Sequence, residues 1–180
     1  MDQITNTGAR APLYIHGLEG GPLGHKGTFI RDLYGRLGPD MPAHADPDQI
    51  TRRPRCFEAC YEMARAELEA HPASVLVGSS FGGAITLALL QRGAWSGPVV
   101  LLAPAAVRYE LDPVLPPGCH AIIIHDPNDD LVPYSDSELI TRSNPGAVEL
   151  WSSDGGHKLK TITHNGLLKR AVETQLARAI

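Results

Sequence analysis

No apolar run in this chain of 180 residues reaches the length of about 20 needed to cross a bilayer. A basic run is missing as well. Sixteen lysines and arginines against 20 aspartates and glutamates leave a formal net charge of −4, so neither nucleic acid nor an anionic membrane surface finds an electrostatic foothold. Cysteine is scarce and odd in number. Three of them, Cys56, Cys60 and Cys119, make no disulfide framework and are expected as reduced thiols. Cys56 and Cys60 stand four apart on an expected helix, but without a second close pair they are a poor zinc signature, and no metal is expected. The segment Met1 to Thr7 lacks a charged-then-apolar signal pattern, which makes the cytoplasm the expected location. Internal repeats and low-complexity tracts are also missing.

What remains is ordinary for a single globular domain, residues 1–180, with 43% hydrophobic and 20% charged residues and enough chain for a real core. The 18 glycines and 15 prolines fall between periodic segments and read as turns. Short β-prone runs are expected at Leu13–His16, Val75–Val77, Val99–Leu102, Ala121–Ile124 and Ala147–Trp151, with a weak candidate near Met41–Ala43. Several are continuous apolar runs, as in parallel strands buried on both faces. Helical spacing is expected over Gly24–Leu37, Pro54–His71, Gly82–Leu90 and Thr163–Ile180. Alternation of this kind predicts an α/β fold, a doubly wound sheet of about six mainly parallel strands, with any ligand site at the carboxyl ends of those strands.

The most informative segment is Val77-Gly78-Ser79-Ser80-Phe81-Gly82-Gly83. A β-prone run enters Gly-x-Ser-x-Gly and a helix follows at once, the layout of a nucleophile elbow that pushes the Ser80 hydroxyl into the open. Its neighbours must be small because the turn is tight, and Gly78 and Gly82 meet that need. A serine hydroxyl needs a base, and the base needs an orienting acid. In the order Ser, acid, His, the acid is expected in His125-Asp126-Pro127-Asn128-Asp129-Asp130, about 50 residues on, and the base at His157 after Gly155-Gly156. Asp126, Asp129 and Asp130 compete for the acid role. Asp129 is favoured because it lies deep enough in the loop to reach an imidazole, with Asp130 next. The tetrahedral oxyanion needs donors, expected to be the N–H of Phe81 and, in His16-Gly17-Leu18-Glu19-Gly20-Gly21, the N–H of Leu18. That loop carries no phosphate-binding glycine pattern. His16 is expected in structural hydrogen bonding and His25 as an exposed loop residue.

Four segments together resemble the small bacterial YqiA-type esterases of the α/β-hydrolase superfamily. They are Leu13-Tyr14-Ile15-His16-Gly17 with Lys26 further on, the elbow itself, Pro104-Ala105-Ala106-Val107-Arg108-Tyr109-Glu110-Leu111, and Gly155-Gly156-His157. The resemblance implies cofactor-free hydrolysis of carboxylic esters and acyl thioesters, with Ser80, Asp129 and His157 as triad and Leu18 and Phe81 as oxyanion hole. Asp126 departs from the pattern, since glycine often follows the strand-end residue in those esterases. The stretch from Ala103 to Gly118 is too short for a helical cap, so a minimal, uncapped version of the fold is expected. Its open acyl site would be walled by Leu18, Phe81, Val107, Tyr109, Leu131 and Leu159, with a small-molecule acyl ester or thioester as partner. Two other readings stay open on sequence: a non-catalytic binding protein on the same fold, and a triad hydrolase acting on an amide, lactone or carbon–carbon bond.

Overall fold

The computed structural model describes residues 11–41 and 53–179. Among them five strands form one parallel sheet: β1 (Leu13–Ile15), β2 (Leu76–Ser79), β3 (Val99–Leu102), β4 (Ala121–His125) and β5 (Val148–Ser152). They lie side by side in chain order, with Tyr14 opposite Val77, Val77 opposite Val100, Val100 opposite Ile122 and Ile122 opposite Glu149. The described count is therefore five rather than about six. Of the weak strand candidate, Met41 is buried outside any strand, and residues 42 and 43 lie outside the described residues.

Strand side chains alternate between two apolar layers, as the period of two requires. Leu13, Ile15, Leu76, Leu101 and Ile123 face α2 (Arg53–Ala70), α3 (Phe81–Gln91) and Ile140 of α4 (Tyr134–Ser143). Tyr14, Val77, Val100, Leu102 and Ile124 face Ile30 of α1 (His25–Tyr34) and Leu168 and Val172 of α5 (Leu167–Arg178). Helices thus cover both faces, and this is why the strands read as continuous apolar runs. The helix behind the elbow is the most enclosed: all residues from Phe81 to Leu90 are buried.

Two helix boundaries differ from the periodic reading. α1 stops at Gly35, which takes a left-handed conformation (φ 77°) and donates its N–H to Arg31, so the chain turns before Leu37. α5 begins only at Leu167. Gly166 before it has φ 78°, and the preceding turn, Lys160–Thr163, is a separate 3-10 helix. The sheet's parallel order sends every β-to-α turn to one edge, so residues 16–24, 80, 103–109, 125–132 and 153–159 gather there.

Candidate active site

Ser80 is the single residue between β2 and α3, with φ 53° and ψ −113°. An L-residue is strained there. The turn is held by its own hydrogen bonds: the Ser80 N–H donates to Leu102 O (2.8 Å), and its carbonyl accepts from Gly83, Ala84 and Ala105. A Cβ on Gly82 would lie 2.6 Å from the His16 carbonyl oxygen, and one on Gly78 would lie 2.5 Å from that of Gly82. Only glycine fits at either position.

The Ser80 hydroxyl lies 2.9 Å from His157 Nε2, and His157 Nδ1 lies 2.8 Å from Asp129 Oδ2. A carboxylate can only accept, so the Nδ1 position carries the imidazole proton and Nε2 faces the serine as acceptor. Asp129 is fully enclosed and receives four donors. The N–H groups of Leu131 and Val132 reach Oδ1 at 2.8 and 2.9 Å, while His157 and His125 share Oδ2. Burial pushes the Asp129 carboxyl up, but the Val132 N–H, His157 and the Leu131 N–H outweigh it and hold the group below the ordinary aspartate value.

The second imidazole on Asp129 is absent from the sequence reading, where His125 serves only to mark the strand end. It is fully buried, receives the Ser137 hydroxyl at Nδ1 (2.7 Å), and directs Nε2–H at Asp129 (3.0 Å) and the Val132 carbonyl (3.2 Å). Burial pushes His125 below the ordinary histidine value although Asp129 pulls the other way, so it donates as a neutral ring. The signal available in the sequence was a histidine ending an apolar strand four residues before a carboxylate.

The other two aspartates do different work. Asp126 accepts the N–H of Asn128 (2.8 Å) and, from the histidine loop, that of Gly156 (2.6 Å), which hold its carboxyl below the ordinary value. It laces the two loops together. Asp130 is exposed and has no polar partner among the described residues.

Backbone conformation delivers His157. Gly155 (φ 102°) and Gly156 (φ 62°) reverse the chain after β5, and Leu159 (φ 46°) then drops into the apolar layer beneath. Leu159, expected on the pocket wall, is thus a fully buried anchor, because the left-handed turn swings its side chain inward. Val107 is also absent from the cavity lining. The 3-10 turn Val107–Tyr109 points it to solvent and offers Arg108 and Tyr109 instead. The cavity itself measures about 410 Å³. Leu18, Phe81, Tyr109 and Leu131 line it beside Ser80 and His157, and Phe81 and Tyr109 pack edge to face at 5.2 Å. The N–H groups of Leu18 and Phe81 have no acceptor among the described residues, and both residues border this cavity.

His16 is buried, with Nε2 accepting the Met41 N–H at 3.0 Å and Nδ1 donating to Gly17 O at 2.7 Å, a structural role. His25 opens α1 and lines the cavity instead of standing in a loop. Cys56, Cys60 and Cys119 are not joined in disulfides. Among the described residues no group of three or more histidine, cysteine or acidic side chains is arranged to hold a metal ion, and no helix is long and apolar enough to cross a membrane.

No family model and no curated protein matches the chain by sequence. Solved structures do match its backbone. A protein of the alpha/beta superfamily of hydrolases from Xanthomonas campestris superposes with a TM-score of 0.68 at 22% identity, over 94% of this chain and 98% of that one. Alpha/beta hydrolase domain-containing protein 10 from mouse gives 0.70 at 15% identity, over 100% and 93%. The esterase domain of a Rhodothermus marinus protein gives 0.62 at 17%, over 93% and 88%. The chain has the α/β-hydrolase fold.

Proposed function

We propose that this chain is a serine hydrolase that cleaves carboxylic esters and acyl thioesters through an acyl-Ser80 intermediate. The observation that carries the reading is the unbroken relay from Ser80 Oγ to His157 Nε2 and from His157 Nδ1 to Asp129, at 2.9 and 2.8 Å. Ser80 Oγ attacks the carbonyl carbon while His157 Nε2 takes its proton, and Asp129 stabilises the resulting imidazolium. The oxyanion is met by the N–H groups of Leu18 and Phe81, the latter at the positive end of α3. His157 then gives the proton to the departing alkoxide or thiolate. Water, deprotonated by the same imidazole, attacks the acyl carbon and releases the acid and the serine.

The strained backbone at Ser80 supports this reading, since a mere connector between strand and helix has no need of it. The esterase in the structural comparison, and the resemblance to short YqiA-type esterases, support the ester class. Turnover of p-nitrophenyl butyrate and butyryl-CoA, measured beside Ser80→Ala, is the test. Activity of the native chain that falls at least about 10³-fold in the variant supports the acyl-serine route. An inert native chain points to a binding role, and an undiminished variant refutes Ser80 as nucleophile.

A further inference from the structure

Resting on that reading, we infer that the substrate carries a second, negatively charged group, and that Lys26 in the cavity wall recognises it. Lys26 lies on the first turn of α1, is only 8% exposed, and lines the same cavity as Ser80 and His157. Its Nζ donates to one neutral acceptor, the Lys158 carbonyl at 2.9 Å, next to the histidine. A carbonyl satisfies one of three ammonium protons and none of the charge. Among the described residues no carboxylate lies within ion-pair distance of it, and burial alone pushes its pKa down to about 8. An ammonium enclosed without a counterion is costly to the fold.

Elsewhere among the described residues the basic side chains are matched, apart from the exposed Lys160. Arg36 pairs with Glu67, Arg92 with Glu58 and Arg178 with Glu149, while Arg170 stacks on Trp151. Besides Lys160, the unmatched cations line the cavity: Lys26, Arg108 and Lys158 have no carboxylate partner among the described residues. Against them stands Glu19, exposed at the rim. On a chain of net charge −4 this is a local reversal of sign, the arrangement that attracts an anion. Lysine recognises carboxylate and phosphate alike as a point charge, so the anion can sit on the acyl part or on the leaving group.

Two pairs of substrates separate these sources. Mono-p-nitrophenyl glutarate against p-nitrophenyl valerate places a carboxylate on the acyl side. Butyryl-CoA against butyryl-N-acetylcysteamine places phosphates on the thiol side. The native chain should favour the anionic member of one pair by about tenfold or more in kcat/KM, equivalent to one Kd decade. Lys26→Met should bring that ratio toward one. Should the variant fail to fold, the native ratio against pH decides: it should fade as pH rises past about 8, where Lys26 gives up its proton. His157 serves both members of a pair and cancels in the ratio. Tyr14, pushed up by burial, keeps its proton, and His25, pushed down by burial and then by Lys26, is already neutral. Arg108, Lys158 and Glu19 complete the charged lining. A ratio of one or below in both pairs overturns the inference, as does a preference that survives both Lys26→Met and high pH. If neutral esters are still turned over through Ser80, only the anion inference falls. If no ester or thioester is cleaved, the hydrolase reading falls and takes this inference with it.

Discussion

Three aspartates within five residues end in three different environments, and only Asp129 faces an imidazole of the serine relay. Its Oδ1 closes the turn onto Leu131 and Val132, leaving Oδ2 to His157 and His125. Asp129→Asn should lower kcat by about 10²- to 10⁴-fold, because an amide presents a donor to Nδ1 and favours the wrong tautomer. Asp130→Asn should stay within about threefold of native, being exposed. Steady-state rates on one activated ester check both, and equal rates for the two variants would overturn the acid assignment. Asp126→Asn is a stability experiment. Its carboxylate holds the N–H groups of Asn128 and Gly156, so the variant should lose about 1–3 kcal/mol in urea melts near neutral pH. Because folding holds the carboxyl below its ordinary 3.8, that deficit should shrink as pH falls through and below this value, where the native carboxyl is protonated too.

At the scale of elements, the histidine loop is a lever with Leu159 as its fixed end. β5 stops at Ser152, two left-handed glycines turn the chain, and Leu159 locks into the layer formed by α5 and the sheet. Leu159→Ala removes a fully buried side chain and should cost about 2–5 kcal/mol, measured by urea unfolding. It should also slow turnover, since His157 stands two residues away and its placement rests on the same loop. A variant as stable as the native chain would show that the loop is held by something other than this anchor. On sequence alone Leu159 reads as a pocket residue because nothing in its neighbours reveals a left-handed backbone at a leucine. The start of α5 differs for a plainer reason: residues 163–166, Thr-His-Asn-Gly, carry no apolar side chain, the 3-10 turn stops at Thr163, and Gly166 with φ 78° stands just before the helix.

For the molecule as a whole, strand runs and helical stripes were legible because both sheet faces are covered, so apolar continuity marks β-structure directly. The elbow was legible because Gly78 and Gly82 are required by space, not by preference. Burial of charge was not legible. Lys26 sits in the sequence as an ordinary polar residue at a helix start, and only packing of α1 against the histidine loop encloses it. A whole-molecule consequence follows from its pKa of about 8 against the ordinary 10.5. Folding lowers this pKa, so the unfolded chain binds more protons between the two values and stability rises as pH climbs through that window. Lys26→Met lacks the rise. Relative to the variant, the native chain should therefore gain stability between about pH 8 and 10.5, by at most about 3 kcal/mol. Thermal melts of both proteins across that range check the slope, and a native-to-variant difference that does not change with pH would contradict the unpaired-charge account.

The central claim is that Ser80 is a nucleophile activated through His157, and covalent labelling reads it most directly. The native chain, treated with a fluorophosphonate and analysed by peptide mass spectrometry, should carry one phosphonyl group, on the peptide containing Ser80. Ser80→Ala should carry none, and His157→Gln should label at least about 10²-fold more slowly. Labelling at another serine, or at Ser80 with an undiminished rate in His157→Gln, would contradict the account.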